Sequence, residues 1–247
     1  MRGAGLYATA AVRALQGRGG RTVLSELRSA PPLSLRPAAG SLWMVGTAAG
    51  PLAGDRVELE LDVGPGARLT LRSTAAAVAL GGHGRPASEL LVDAQVGPGG
   101  ELRWLPEPTV ATAGARHLMA ARVRLAGGAR LVWREELVLG RHGEAPGTLC
   151  SRIHVEREGS PLLRQELRLG PGATAWAGAA VVGGAGATGG VVVVDPAWET
   201  EPGPGRSIDP EAAVLTLAPG AALVSAVAPG ARELRCRLDR GMAWLAG

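Results

Sequence analysis

Phenylalanine and lysine are absent from this 247-residue sequence, tyrosine occurs once and cysteine twice. Each absence excludes something. With aromatics at 3% against 46% hydrophobic residues, the core has to be built from valine, leucine and alanine around a few tryptophans. The same scarcity argues against a sugar groove or a stacking platform for nucleic acid. Without lysine there is no Walker-type phosphate loop. Cys150 and Cys236 are too few for a disulfide framework in a chain this long. Neither a GxSxG nucleophile elbow nor an HExxH zinc motif occurs. Gly184 to Gly189 does match GxGxxG, but Gly190 and the apolar run Val191–Val194 follow it. That run reads as a strand, not as a helix whose N-terminus could hold pyrophosphate, so dinucleotide binding is excluded. The N-terminus lacks a secretory pattern, since Arg13 interrupts the alanine-rich stretch and no cleavage site follows. A cytoplasmic protein is expected.

What the chain has in abundance is turn chemistry: Gly 38 and Pro 18. A short signal recurs at Val63-Gly64-Pro65-Gly66-Ala67, Val96-Gly97-Pro98-Gly99-Gly100 and Leu169-Gly170-Pro171-Gly172-Ala173. Variants occur at 125–129, 217–221 and 227–231. Proline presets φ at turn position i+1 and glycine supplies positive φ at i+2, as a type II turn requires. Such turns fit tight hairpins poorly, which favours corners between stacked sheets. Spacing is too uneven for a regular repeat. The segments between turns alternate: Val57, Leu59, Leu61 and Val63 take one face, Glu58, Glu60 and Asp62 the other. Opposing Asp62 to Arg68 and Glu58 to Arg72 in a hairpin would pair charges, although that register conflicts with the turn type. Further strands are predicted at 89–96, 122–125, 130–139, 153–156, 162–169, 191–194 and 214–217. From Gly170 to Val194 no residue is charged, long enough to span a bilayer. Its glycines and Pro171 favour buried strands joined by a turn instead. Helix is scarce; the best start is Asp209, with Pro210 at the first helical position and Glu211 behind it. Pro202 to Gly205 reads as a surface loop. The expectation is one all-β domain over residues 1–247, with disorder, if any, within 1–20.

The net charge is +4 and the pI about 10.3. Arginines are interleaved with carboxylates; the densest group, Arg232, Arg235, Arg237 and Arg240, reads as a solvated or partner-docking face rather than a nucleic-acid site. Cys150 and His154 are suggestive as metal ligands, but four strand residues span about 13 Å. The roles of His83, His117, His142, His154 and the two cysteines stay open. Glu58 and Glu60 stand at a separation glycosidase chemistry could use, as neighbours on almost any solvated strand do.

Three segments point further. Gly50-Pro51-Leu52-Ala53-Gly54-Asp55, Trp104-Leu105-Pro106-Glu107-Pro108 and Leu139-Gly140-Arg141-His142-Gly143-Glu144 stand in an order and at a spacing that resemble the urease accessory proteins of the UreD (UreH) type. Supporting segments run from Arg21 to Leu169: Arg21–Leu24, Pro31–Pro37, Val63–Val78, Arg130–Glu135, Arg152–Val155 and Pro161–Leu163. Ala53 replaces the first glycine of the family's Gly-Gly-Asp, and the family's basic residue near Ala77 is missing. Beyond Leu169 the likeness rests on order and length.

The resemblance implies an open, β-helix-like stacked-sheet scaffold without catalysis and without a stably bound cofactor. It implies three partners: apo-urease, an F-type helical accessory protein and a G-type GTPase that carries nickel. Nickel released on GTP hydrolysis would pass as transient cargo through an internal tunnel. On that reading Asp55 and Glu135 match acidic positions expected to line or gate the tunnel, with Glu144 and Glu166 as further candidates. The bland alternative for each is a turn cap at Asp55 and ion pairs with arginine at the glutamates. No nucleic acid and no membrane are expected as partners. Two other classes remain open: a β-rich interaction module without nickel, and a carbohydrate-active enzyme on a β-solenoid.

Overall fold

The computed structural model describes residues 5–198 and 205–245. Alternating sequence becomes strand almost throughout. Strands β1 (Tyr7–Gln16) and β2 (Thr22–Arg28) form one hairpin; β3 (Leu33–Ala38) and β4 (Ser41–Gly46) form another. Three coils follow, each a long strand, a corner and a second strand. They are β5 (Arg56–Val63), β6 (Arg68–Ser73) and β7 (Ala77–Ala79); β8 (Ser88–Val96), β9 (Glu101–Leu105) and β10 (Thr109–Ala111); β11 (Arg116–Leu125) and β12 (Arg130–Leu139). The chain closes with β13 (Thr148–Arg157), β14 (Ser160–Leu169), β15 (Ala187–Val194), β16 (Arg206–Asp209), β17 (Ala212–Ala218), β18 (Ala221–Ala228) and one helix, α1 (Ala231–Leu245).

Among the described residues these strands make two sheets. The first runs β14-β13-β11-β8-β5-β1-β2, parallel from β1 through β13 with an antiparallel strand at each edge. The second runs β16-β17-β18-β15-β12-β9-β6-β4-β3, with β7 and β10 set beside the far end of β12. This is the stacked-sheet architecture that the turn chemistry predicts and the β-helix-like scaffold that the resemblance implies.

The corners lie where the Pro-Gly signals place them. At each, the backbone closes an i to i+3 bond: Ala67 N to Gly64 O (3.1 Å), Gly100 N to Gly97 O (2.9 Å) and Ala129 N to Ala126 O (3.1 Å). Gly66, Gly99 and Gly128 supply φ of 66°, 64° and 70° at position i+2. Each corner carries the chain from the first sheet to the second, and the corners stack, Gly66 N donating to Pro98 O (3.0 Å) and Gly99 N to Gly127 O (3.3 Å). The Leu217–Ala221 variant instead closes the β17–β18 hairpin, and Leu169–Ala173 leads into a string of turns before β15.

Several expectations need correction. β5 and β6 lie in different sheets, so the Asp62–Arg68 and Glu58–Arg72 pairs do not form. Asp62 takes Arg13 instead (2.7 Å) and Arg68 lies 3.8 Å from Glu101. No helix starts at Asp209: its Oδ1 accepts from Glu211 N (2.9 Å) to shape the β16–β17 turn, and the alternating residues behind it prefer a strand. The helix lies further on, and it carries Arg232, Arg235, Arg237 and Arg240. Leu234, Leu238 and Gly241 recur at helical spacing and are buried. At Gly241 a Cβ would lie 2.3 Å from Val224 Cγ1, so only glycine lets the helix approach β18 this closely. Residues 7–16, inside the stretch where any disorder was expected, form β1 within the first sheet. The uncharged stretch 170–194 ends in β15, and among the described residues no helix is long and apolar enough to cross a membrane. Of the predicted Pro202–Gly205 loop, 202–204 lie outside the described residues.

Three apolar clusters organise the interior. The largest fills the space between the sheets around Trp104 and Trp133, which stack with ring centroids 4.8 Å apart and planes 10° apart. A second lies between the outer face of the second sheet and α1. A third, with Met119, Leu137, Leu139, Leu149 and Leu169, is closed by Val182 and Trp176 from the turn segment before β15.

The corners yield a stability prediction. At Gly99 a Cβ would meet nothing within 4 Å, so Gly99→Ala pays only for left-handed backbone. We expect a loss of about 1–2 kcal/mol, read as a lower urea midpoint with an unchanged far-UV circular dichroism spectrum.

Candidate functional site

The first and third clusters do not merge. Along β12, inward positions read Leu131, Trp133, Glu135, Leu137 and Leu139; the first two belong to one cluster and the last two to the other. Along β13 the inward row reads Val155, Ile153, Ser151 and Leu149, divided in the same way. Glu135 and Ser151 therefore meet across the sandwich, from opposite sheets, in a polar layer between two apolar ones. Ser151 Oγ donates to Glu135 Oε2 and Trp133 Nε1 donates to Oε1 (3.1 Å). The next two strands extend the layer: Glu135 pairs with Gly190 on β15, and Gly190 with Ser225 on β18.

Energetics single this carboxylate out. Glu135 is enclosed by protein, yet its residue keeps intermediate solvent contact, and among the described residues no arginine or histidine pairs with it. Burial raises its pKa, opposed by the bonds from Ser151 and Trp133. An uncompensated buried charge costs several kcal/mol, whereas a neutral hydrogen bond returns about 0.5–1.5. Burial therefore shifts the balance toward the protonated acid. A cation arriving beside it would reverse that preference and release the proton.

Backbone pairing is interrupted here. β9 pairs with residues 130–133 of β12 and β10 with 137–139. Between them Pro106-Glu107-Pro108 leaves the ladder, which neither proline can join as a donor. Arg134, Glu135 and Glu136 thus lack a strand neighbour on that side, and Gly190 adds no side chain on the other. Glu136, one residue on, points outward beneath α1. Its buried carboxylate takes Arg235 Nε at 3.0 Å, and Arg235 also binds Glu107 (3.0 Å). Burial pushes the pKa of Glu136 up, and Arg235 pulls it down. Arg134 binds Asp239 on the helix, and Arg237 and Arg240 reach Asp209 at 3.6 Å and 2.6 Å. Three of the four clustered arginines thus fasten α1 to the sheet.

The other predicted acids stand elsewhere. Asp55, 8% exposed, caps the loop before β5: Leu6 N donates to its Oδ1 (3.0 Å) and Leu52 N to its Oδ2 (2.9 Å). Glu144 holds Arg141 in a two-pronged pair (2.8 and 2.9 Å), which with the Arg141 backbone amide holds its pKa down to about 2. Glu166, on the outer face of β14, is lowered by Arg168 and Arg152. The four residues do not converge. No group of three or more His, Cys, Asp or Glu positioned for a metal occurs among the described residues. His117 is buried with Nδ1 2.9 Å from Ser88 Oγ, and burial lowers its pKa to about 4. His154 accepts from Arg164 (3.0 Å), and both cysteines are free. Glu58 is engaged by Arg56 (2.7 Å) and Tyr7 (2.8 Å), an ordinary solvated-strand arrangement.

Sequence reasoning missed Ser151, Gly190 and Ser225. A signal existed: the period of two puts Glu135 in line with Trp133 and Leu137, a carboxylate on an apolar face. Nothing local pairs it with Ser151, sixteen residues away on the facing sheet.

The pKa of Glu135 sets a measurable pH dependence. Between the unfolded carboxylate value near 4.3 and the raised folded value, the native state keeps a proton that the unfolded state has lost, so stability falls as pH rises. Glu135→Gln removes that dependence. We expect the variant to gain on the parent across this window, with a slope of at most about 1.4 kcal/mol per pH unit, and to hold its lead above it. Urea unfolding at a series of pH values reads the difference.

Comparison with known proteins points to one family. The model of the family described as UreD urease accessory protein matches residues 8–247, including the C-terminal third where sequence likeness faded. The chain is 45% identical to a urease accessory protein UreD of Streptomyces avermitilis, over 99% of this chain and 100% of that one. It is 44% identical to the UreD of Streptomyces coelicolor (98% and 97% covered) and 42% to that of a Parafrankia species (94% and 86%).

Proposed function

The chain belongs to the UreD family of urease accessory proteins, and from that premise we propose that it serves urease maturation as a scaffold through which nickel passes. In this reading it holds an F-type accessory protein and a G-type GTPase against apo-urease, and nickel crosses its interior by way of Glu135. The observation that carries the reading is the polar layer: one carboxylate without a cationic partner among the described residues, enclosed between two apolar clusters yet in contact with solvent. A fixed countercharge would make such a group inert toward a cation. Its absence leaves the carboxylate available.

Donor chemistry fits passage rather than storage. Glu135, Ser151 and Ser225 offer oxygen only, whereas tight sites for nickel-like ions recruit imidazole or thiolate. Asp55 spends both carboxylate oxygens on backbone amides, and Glu144 and Glu166 are engaged by arginine. These engagements favour structural work at those three positions, so Glu135 is the position that tests the route. Scaffolding without catalysis suits a chain whose acids and histidines are dispersed or paired.

The test is nickel per active site in urease matured with this chain and the other accessory proteins. Glu135→Gln keeps shape and both hydrogen-bonding neighbours but cannot ionise. It is expected to leave the accessory complex intact by gel filtration and to lower urease nickel at least five-fold at limiting nickel. Glu166→Gln, on the outer face, is expected to change nothing. Full loading with Glu135→Gln would sink the interior route, while a chain dispensable for loading would sink the maturation role itself.

A further inference from the structure

We infer that the outer face of the first sheet is a self-complementary interface, on which two copies of this chain pair about a two-fold axis parallel to the strands. Such pairing requires neither nickel nor a urease partner.

Among the described residues the one α-helix packs on the second sheet, leaving the outward side of the first without one. Parallel sheets are ordinarily covered on both faces. The outward positions divide by charge at the seam between β8 and β11. On β5 and β8 they carry Glu58, Glu60, Asp62, Glu89 and Asp93 against one arginine, Arg56. On β11, β13 and β14 they carry Arg122, Arg124, Arg152, Arg164 and Arg168 against two glutamates. Local ion pairs stay within each half. Asp62 binds Arg13 and Glu89 binds Arg56 on the acidic side; Glu166 binds Arg152 and Glu156 lies 3.5 Å from Arg122 on the basic side. Among the described residues one pair crosses the seam, Arg124 with Asp93. Arg164 meets His154 (3.0 Å), and Glu60 stands 3.7 Å from Arg28.

Register sets the surplus charges at one level. Across the sheet Glu60 aligns with Asp93, Asp93 with Arg122, Arg122 with His154 and His154 with Arg164. A two-fold axis lying along the seam keeps each row at its own level and exchanges its halves. Asp93 then stands over Arg122 of the second copy, and Glu60 over His154 of the second copy, beside Arg164. One row away, Leu91 meets Ala120 at the axis and Glu58 meets Arg152. Asp62 and Glu156 also face each other, but each keeps its own arginine. A two-fold axis across the strands would set acid on acid, so charge selects one arrangement of the two.

Shape and area agree. The acidic half holds a hollow of about 500 Å³ bordered by Glu26, Glu60, Asp62 and Asp93, with Arg13 and Arg124. It has room for the guanidinium of Arg164 from the second copy. Six strands at strand spacing present roughly 700 Å², close to the ~800 Å² that a specific interface buries on each partner.

Sedimentation velocity of the full-length chain tests the pairing. We expect a dimer whose dissociation constant rises at least about ten-fold between roughly 0.05 M and 0.5 M salt, because exposed charges are screened. Glu60→Arg or Arg164→Glu alone is expected to weaken it by about ten-fold or more, and the two together to restore it. Both positions are exposed, so the variants keep the fold. Arg72→Glu, exposed on the second sheet, is expected to change nothing. A chain that stays monomeric at low salt would overturn the interface. So would a dimer that both single variants leave intact, or a double variant no tighter than the single ones. None of these results bears on nickel loading with Glu135→Gln.

Discussion

The parallel register running from β1 through β5, β8 and β11 to β13 is the constraint on which the rest of the molecule depends. In a parallel ladder without slips, inward positions of successive strands stand side by side, row upon row. At one level that row reads Val57, Leu90, Met119, Ser151 and Leu167, so Ser151 is a single polar break in an apolar wall. The stacked corners hold the register, Gly66 bonding to the Pro98 corner and Gly99 to the Gly127 corner. Rows within the core follow from this alignment, and the facing sheet sets Glu135 against the one serine.

Much of this was legible in the sequence, and what was not has a physical explanation. Alternation and Pro-Gly turns gave the strands and the crossing between sheets, because both signals are local. The supposed hairpin at Asp62 and Arg68 failed because charge pairing along one face cannot tell a neighbour in sequence from a neighbour in the sheet; Asp62 found Arg13 instead. The helix was misplaced because Asp-Pro-Glu serves a helix start and an Asx turn equally well. What decided between them was the residues behind, alternating after Asp209 and spaced by three and four after Gly230. Glu135 drew attention through resemblance, yet its setting depends on Ser151, which only the packing of two sheets brings near.

Acid residues on this fold divide by surroundings, not by type. Glu144 and Glu166 lie on the surface with arginine and ionise readily. Asp55 is occupied by amide donors. Glu136 is buried but countered by Arg235. Glu135 is buried, and among the described residues nothing charged counters it. A chain without lysine makes this contrast sharper, because each planar guanidinium can hold two acids, as Arg235 holds Glu107 and Glu136.

Glu135 and Glu136 are adjacent, and they face opposite sides of one strand. A slip of β12 by one residue would turn Glu136 and Arg134 into the apolar interior and put Glu135 beneath α1, out of step with Arg235 and Asp239. Several charge contacts would be lost at once, and charges would be buried unpaired. Helix α1 therefore acts as an inspector of strand alignment. It can seat only on a correctly threaded sheet, so a segment synthesised later verifies the placement of one laid down 99 residues earlier.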